Sequence, residues 1–174
     1  MGKILSEWPT TESTVKVAFF DADLTLRSTA RMSGKSPLSP QDQIIYPDVA
    51  ERIRSLNEAG YFVAIVSNQG RVRTSDDWKT QKQIFESLVE DLAKQGARVD
   101  YANIDGFWNP LNRKPNLGLY NQLNGLFKEK NLRIDPFDSF MVGDAGFTKD
   151  DIPAQENAIN RKDHTTADLS LIHI

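Results

Sequence analysis

Apolar residues gather in four short runs, and the segments between them carry apolar positions at helical spacing. The runs "VKVAFF" (15–20) and "YFVAIVSN" (61–68) are apolar almost throughout, as strands buried on both faces of a parallel sheet are. "VDYANIDGFW" (99–108) and "DSFMVGD" (138–144) continue the series. Between the first two, 47–60 opens with Pro47, closes with Gly60, and sets Val49, Ile53 and Leu56 on one stripe. Residues 75–96 begin with acids, end at Gly96 and align Ile84, Leu88 and Leu92. A third helical segment, 115–130, is led by Pro115, whereas 24–47, with three prolines, reads as an irregular excursion. This alternation predicts an α/β fold, an open parallel sheet flanked by helices, with 1–14 as an N-terminal segment and 15–174 as one domain.

In such a sheet, ligands bind beyond the carboxyl ends of the strands. Here those ends carry Asp21 and Asp23, Ser67 and Asn68, and Asp144, with Lys114 in the loop after the third run. Carboxylates as close as Asp21 and Asp23 repel unless a cation sits between them. Asp144 adds a third, and together they predict a hard-oxygen site suited to Mg²⁺. Carboxylates, a divalent metal, a hydroxyl and a lysine on one rim suit a phosphoryl group.

Composition changes this picture only at its edges. The chain has 174 residues and no cysteine, which excludes disulfides, thiolate zinc sites and cysteine nucleophiles. No apolar run approaches a membrane span, and "MGKILSEWPTTEST" lacks a signal-peptide core, so a cytoplasmic (or nuclear) and non-secreted protein is expected. A net charge of −3 is unlike the basic domain usual for nucleic-acid binding. Its distribution is another matter. Arg27, Arg31, Lys35, Arg71, Arg73, Arg113, Lys114, Arg161 and Lys162 fall near the expected rim, while Glu86, Glu90, Asp91 and Glu129 lie on helices. A basic rim on an acidic body would steer a phosphate-rich substrate. Trp78 and Trp108 read first as packing residues, with base stacking as a second use. Neither a G-x-x-x-x-G-K-[ST] loop nor G-x-G-x-x-G after the first run is present, which sets aside a P-loop kinase and a dinucleotide-binding oxidoreductase.

Four motifs in chain order carry a resemblance: "DADLT" (21–25), "VSNQG" (66–70), "RKP" (113–115) and "VGDAG" (142–146). Together they resemble the haloacid dehalogenase superfamily, with its Rossmann-like sheet, over residues 15–168. The runs "SGKSPLSPQDQIIYPDVAERIRSLNEAGYFVAIVSNQG", "NRKPNLGLYNQL", "FMVGDAG" and "RKDHTTAD" are similar to the 3′-phosphatase domain of polynucleotide kinase/phosphatase.

The resemblance implies roles. Asp21 would be the nucleophile, forming an aspartyl-phosphate, and Asp23 the general acid and then base. Asp21, the backbone carbonyl of Asp23, and Asp144 would hold Mg²⁺. Ser67, Asn68 and Lys114 would bind phosphate. Asp163 would align with a second acid of the last motif, for which Asp150 or Asp151 could also serve. Arg27, Lys35, Arg71 and Arg113 are candidates for the substrate rim. Leu24 stands where the superfamily usually has Gly, so the turn there must tolerate a side chain. The chain also stops at Ile174, where relatives continue for at least another strand, so either the sequence is a shortened one or the sheet lacks an edge element, which would cost stability and activity.

Only 46 positions separate Asp21 from Ser67 and 47 separate Ser67 from Lys114, too few for a folded cap domain. An uncapped site admits polymer ends, and a 3′-phosphate end of nucleic acid is the expected substrate. The alternatives are a small phosphorylated metabolite, such as a sugar or histidinol phosphate, and a non-catalytic phosphate-binding module. Histidinol-type relatives often carry a cysteine-bound zinc loop, which this chain cannot build.

Overall fold

The computed structural model describes residues 13–31, 36–106, 111–114 and 116–144. Its central sheet consists of β2 (Val17–Phe20), β5 (Phe62–Asn68), β6 (Tyr101–Asp105) and β8 (Phe140–Val142), in the order β6-β5-β2-β8 and parallel throughout. The register is tight: Phe20 pairs with Ile65 on one side and Val142 on the other. Two further strands, β1 (Ser13–Val15) and β7 (Leu132–Ile134), pair in parallel just below. The chain runs from β2 outward through β5 to β6, then returns to place β8 on the opposite side of β2. That reversal makes the carboxyl end of β2 a topological switch point, where open sheets form their ligand crevice.

Helices cover both faces. α1 (Val49–Glu58) and α2 (Ser75–Lys94) pack through Ile53, Phe85, Leu88 and Leu92 against Ala18, Phe20, Val63 and Ile65. α3 (Gly118–Lys128) packs through Leu119, Leu123 and Phe127 against Val17, Phe19, Ala64 and Val66. The alternation of side chains along each strand sorts the two cores. It also decides the site: Asp21 shares the parity of Val17 and Phe19 and belongs to the α3 face. Ser67 follows Val63 and Ile65 toward α2, and Asn68 follows Ala64 and Val66 toward α3.

The excursion after the first motif is more ordered than its prolines suggest. β3 (Arg27–Thr29) and β4 (Gln43–Ile45) form an antiparallel hairpin. Asp42 ties its far end, accepting from Thr29 Oγ1 at 2.7 Å, Leu38 N at 2.9 Å and Arg31 Nε at 2.9 Å. From Asp21 to Lys114 the described residues are used by this hairpin, α1, β5, α2 and β6, and no separate cap is built among them. Among the described residues no helix is long and apolar enough to cross a membrane.

Candidate active site

Strand β2 continues its ladder one residue past its end, Asp21 N donating to Val142 O at 2.9 Å. The chain then turns sharply: Leu26 N and Arg27 N both donate to Ala22 O, and Leu24 N donates to Arg27 O. Leu24 sits at φ 61°, the left-handed region that glycine enters freely and a side chain at a cost. The turn therefore keeps the glycine-type backbone without the glycine.

Asp21 Oδ1 accepts from Ala22 N at 2.8 Å and meets Lys114 Nζ at 3.3 Å. Lys114 is placed by Asn68. The Asn68 amide accepts from Lys114 N at 2.9 Å and donates to Lys114 O at 2.8 Å, bracketing the lysine backbone on both sides. The side chain of Asn68, expected to bind phosphate, holds the residue that faces Asp21. Ser67 stands where it was expected, buried at the end of β5, its Oγ accepting from Gln69 Nε2 at 3.0 Å.

Asp23 is held from two sides. Arg27 Nε donates to Oδ1 at 3.0 Å, and Gln69 Nε2 donates to Oδ2 at 2.9 Å. Arg27 was expected on the substrate rim, and the structure corrects this. The side chain is fully buried, with its guanidinium 4.4 Å above the Phe85 ring and Nη1 donating to Gln43 Oε1 at 3.2 Å. The hairpin folds back over the Asp23 turn and closes the arginine off from water. Burial pulls the Arg27 pKa below its usual value, and the negative charge of Asp23 opposes that pull.

Each of the two carboxylates thus faces a cation, Lys114 at Asp21 and Arg27 at Asp23. Among the described residues no three acidic or histidine side chains gather as a metal-binding group. The Asp23 side chain is taken up by Arg27 and Gln69. Its carbonyl is another matter, because the N–H groups of the turn go to the carbonyls of Ala22 and Arg27 rather than to that of Asp23. Asp144 lies two residues beyond Val142, on the strand end that pairs with β2. Carboxylates and a backbone carbonyl are hard oxygen donors of the kind Mg²⁺ takes.

Around this centre, Arg71 and Arg73 are exposed at the start of α2 and Arg113 is half-buried, its Nη1 donating to Gly106 O at 3.3 Å. Beside Arg113, burial raises the pKa of Asp105 above the ordinary carboxylate value. Trp78 lies on α2, partly exposed. Lys35, Trp108, Asp150, Asp151, Arg161, Lys162 and Asp163 lie outside the described residues.

A profile of the polynucleotide kinase 3 phosphatase family matches residues 16–173. The chain belongs to that family. It is 28% identical over 168 residues to the polynucleotide 3′-phosphatase ZDP of Arabidopsis thaliana, covering 88% of this chain and 21% of that protein. It is 30% identical over 113 residues to the D-glycero-β-D-manno-heptose-1,7-bisphosphate 7-phosphatase of Rhodopseudomonas palustris, covering 57% and 58%. A HAD-like phosphatase structure from Mesorhizobium loti shares the fold, with a TM-score of 0.60, 24% identity and coverage of 75% and 64%. The chain thus spans about a fifth of the Arabidopsis protein and under two thirds of the others. The family match thus gives the chain its membership, and the Mesorhizobium loti structure its fold.

Two residues beside these groups carry no role in the sequence reading, although both were visible in it. Gln69 stands inside the second motif, between Asn68 and Gly70, and is buried against both Asp23 and Ser67. Gln81 lies on the apolar stripe of α2 one turn before Ile84 and Phe85, and a polar residue on such a stripe signals a buried partner. That partner is Gln69 Oε1, at 2.9 Å.

Proposed function

We propose that the chain removes phosphate from 3′ ends of nucleic acid, through an aspartyl-phosphate on Asp21 and with Mg²⁺ as cofactor. The observation that carries this reading is the buried Asp21–Lys114 pair at the switch point of the sheet, with Asp23 fixed beside it. Asp21 attacks phosphorus opposite the departing ester oxygen, and Lys114 offsets the charge that accumulates on the phosphoryl oxygens. As general acid, Asp23 gives a proton to the leaving oxygen. It then takes one from the water that releases phosphate from Asp21. Ser67 donates to a phosphoryl oxygen. Asp21, the Asp23 carbonyl and Asp144 would hold Mg²⁺, which would supply Lewis-acid stabilisation of the phosphoryl group.

The nucleic-acid end is favoured by the family and by the Arabidopsis relative, whose match runs through most of this chain. An uncapped rim with Arg71 and Arg73 exposed beside it would receive a polymer end and its neighbouring phosphates. Such a substrate suits the cytoplasm, or the nucleus of a eukaryote. A second reading, a phosphorylated sugar, is favoured by the Rhodopseudomonas palustris relative. The test is kcat/KM with Mg²⁺ on a 3′-phosphorylated oligonucleotide against a panel of sugar phosphates that includes a heptose bisphosphate. The proposal expects the oligonucleotide to lead. A lead for the sugar would establish the second reading, and turnover of neither would refute both.

A further inference from the structure

The geometry points to Gln69 as a positioning residue that fixes the proton-transferring carboxyl group of Asp23 and ties it to the hairpin and to α2. This inference rests on Asp23 as acid and base. A primary amide has two N–H donors and two acceptor lone pairs, and at Gln69 all four are engaged. Nε2 donates to Asp23 Oδ2 at 2.9 Å and to Ser67 Oγ at 3.0 Å. Oε1 accepts from Gln81 Nε2 at 2.9 Å and from Ser36 Oγ at 3.4 Å. The side chain is 3% exposed, and its backbone is pinned as well, Gln69 N donating to Asp105 O at 2.7 Å and Val72 N to Gln69 O at 3.1 Å.

The direction of the amide is set by its partners. Turned over, Oε1 would face the Asp23 carboxylate and Nε2 would face the donor of Gln81, two repulsive contacts in place of two hydrogen bonds. With Arg27 Nε on the other oxygen of Asp23, rotation of the carboxyl group would break a hydrogen bond at each end. Asp23 is thereby aimed by one residue from its own turn and one from the end of β5. The same amide touches the hydroxyl of Ser67, so the proton-transferring carboxyl and the phosphate-binding hydroxyl share one support. Ser36 lies in the excursion between β3 and β4 and Gln81 on α2, which links that support to the two elements flanking the rim.

The test uses the leaving group. An alkyl ester needs a proton on the departing oxygen, whereas p-nitrophenolate leaves without one, so a misplaced acid shows only with the alkyl ester. kcat/KM, which reports the steps through departure of that oxygen, would be measured for Gln69→Met, Gln81→Met and Asp23→Asn. The substrates would be a 3′-phosphorylated oligonucleotide (or, should sugars prove the substrate, a sugar phosphate) and p-nitrophenyl phosphate. Gln69→Met keeps the volume and removes the donors. Its loss on the alkyl ester is expected to exceed its loss on the aryl ester by about tenfold or more, in the same direction as Asp23→Asn. Gln81→Met, which removes one of the two donors to Oε1, is expected to show a smaller difference of the same sign, and it carries the test should Gln69→Met fail to fold. Equal losses on both esters in the glutamine variants, with a leaving-group-dependent loss in Asp23→Asn, would overturn the role of Gln69 alone. Equal losses in Asp23→Asn as well would overturn Asp23 as the acid, and the inference with it.

Discussion

Lys114 Nζ lies 3.3 Å from Asp21 Oδ1, with 2% of the lysine side chain and 14% of the aspartate side chain exposed. An ammonium sealed this far from water acts on a carboxylate, and on any phosphoryl group beside it, with little solvent screening. Lys114→Met is therefore expected to lower kcat/KM by about 10²-fold or more. Lys114→Arg is expected to recover little, since a guanidinium is larger and planar and the slot is shaped by the Asn68 bracket. Steady-state kinetics on the two variants checks this, and a loss below tenfold in Lys114→Met would count against it.

Leu24 pays a conformational cost that two substitutions can isolate. Leu24→Ala and Leu24→Gly remove nearly the same side-chain contacts, but only glycine accepts φ 61° freely. The glycine variant is expected to be more stable than the alanine variant by about 1 kcal/mol, read from denaturant midpoints at equal slopes. Equal stabilities would show that the turn is not strained there.

Arg27 and Asp23 form a pair whose loss is felt unequally. Arg27→Met removes the cation from the side of Asp23 and leaves the hairpin without its buried anchor, at an expected cost of about 3 kcal/mol. Adding Asp23→Asn removes the charge that the arginine had balanced. The double variant is then expected to lose less than the sum of the singles, by about 1 kcal/mol or more. Additive losses would mean that the ion pair contributes nothing beyond packing against Phe85.

Asp42 gives the hairpin an acid limit. Its carboxyl pKa is lowered to about 2, first by the hydroxyl of Thr29 and then by the N–H of Leu38. A carboxyl group more acidic when folded than when unfolded stabilises fully above its unfolded value, about pH 4, and the contribution is lost as pH falls through about 2. Amide exchange at Leu38 should therefore speed up as pH drops across that window, beyond the intrinsic change. Asp42→Asn should flatten that response, and an unchanged response would remove Asp42 from the account.

Much of this was legible in the chain, for definable reasons. β2 and β5 are buried on both faces, so their apolar runs could not be mistaken, and α2 announced itself through Asp76 and Asp77 in its first turn and Gly96 after its end. The third apolar run spans 99–108, whereas β6 covers Tyr101–Asp105; Asp100 turns aside to accept from Val63 N at 2.9 Å. Strands β1, β7, β3 and β4 have three residues each, too few to display a period, and the side chain of Asp42 ties the far end of the hairpin. At the site, Asp21 and Ser67 came from motif residues at strand ends and Lys114 from a motif residue in a loop. Arg27 did not, because a charged residue in a loop ordinarily points to water, and only the folded hairpin brings Gln43 and Phe85 around it. Asn68 was assigned to phosphate because its reach to the Lys114 backbone spans two loops distant in sequence.

The central claim is that Asp21 itself takes the phosphoryl group. Acid quenching during turnover of a 3′-phosphorylated oligonucleotide, followed by peptide mass spectrometry, tests it most directly. The account predicts one phosphoryl group on Asp21, absent from Asp21→Asn, which should also fail to turn over while keeping its fold. Full turnover by Asp21→Asn, or a phosphoryl group trapped on a different residue, would contradict it.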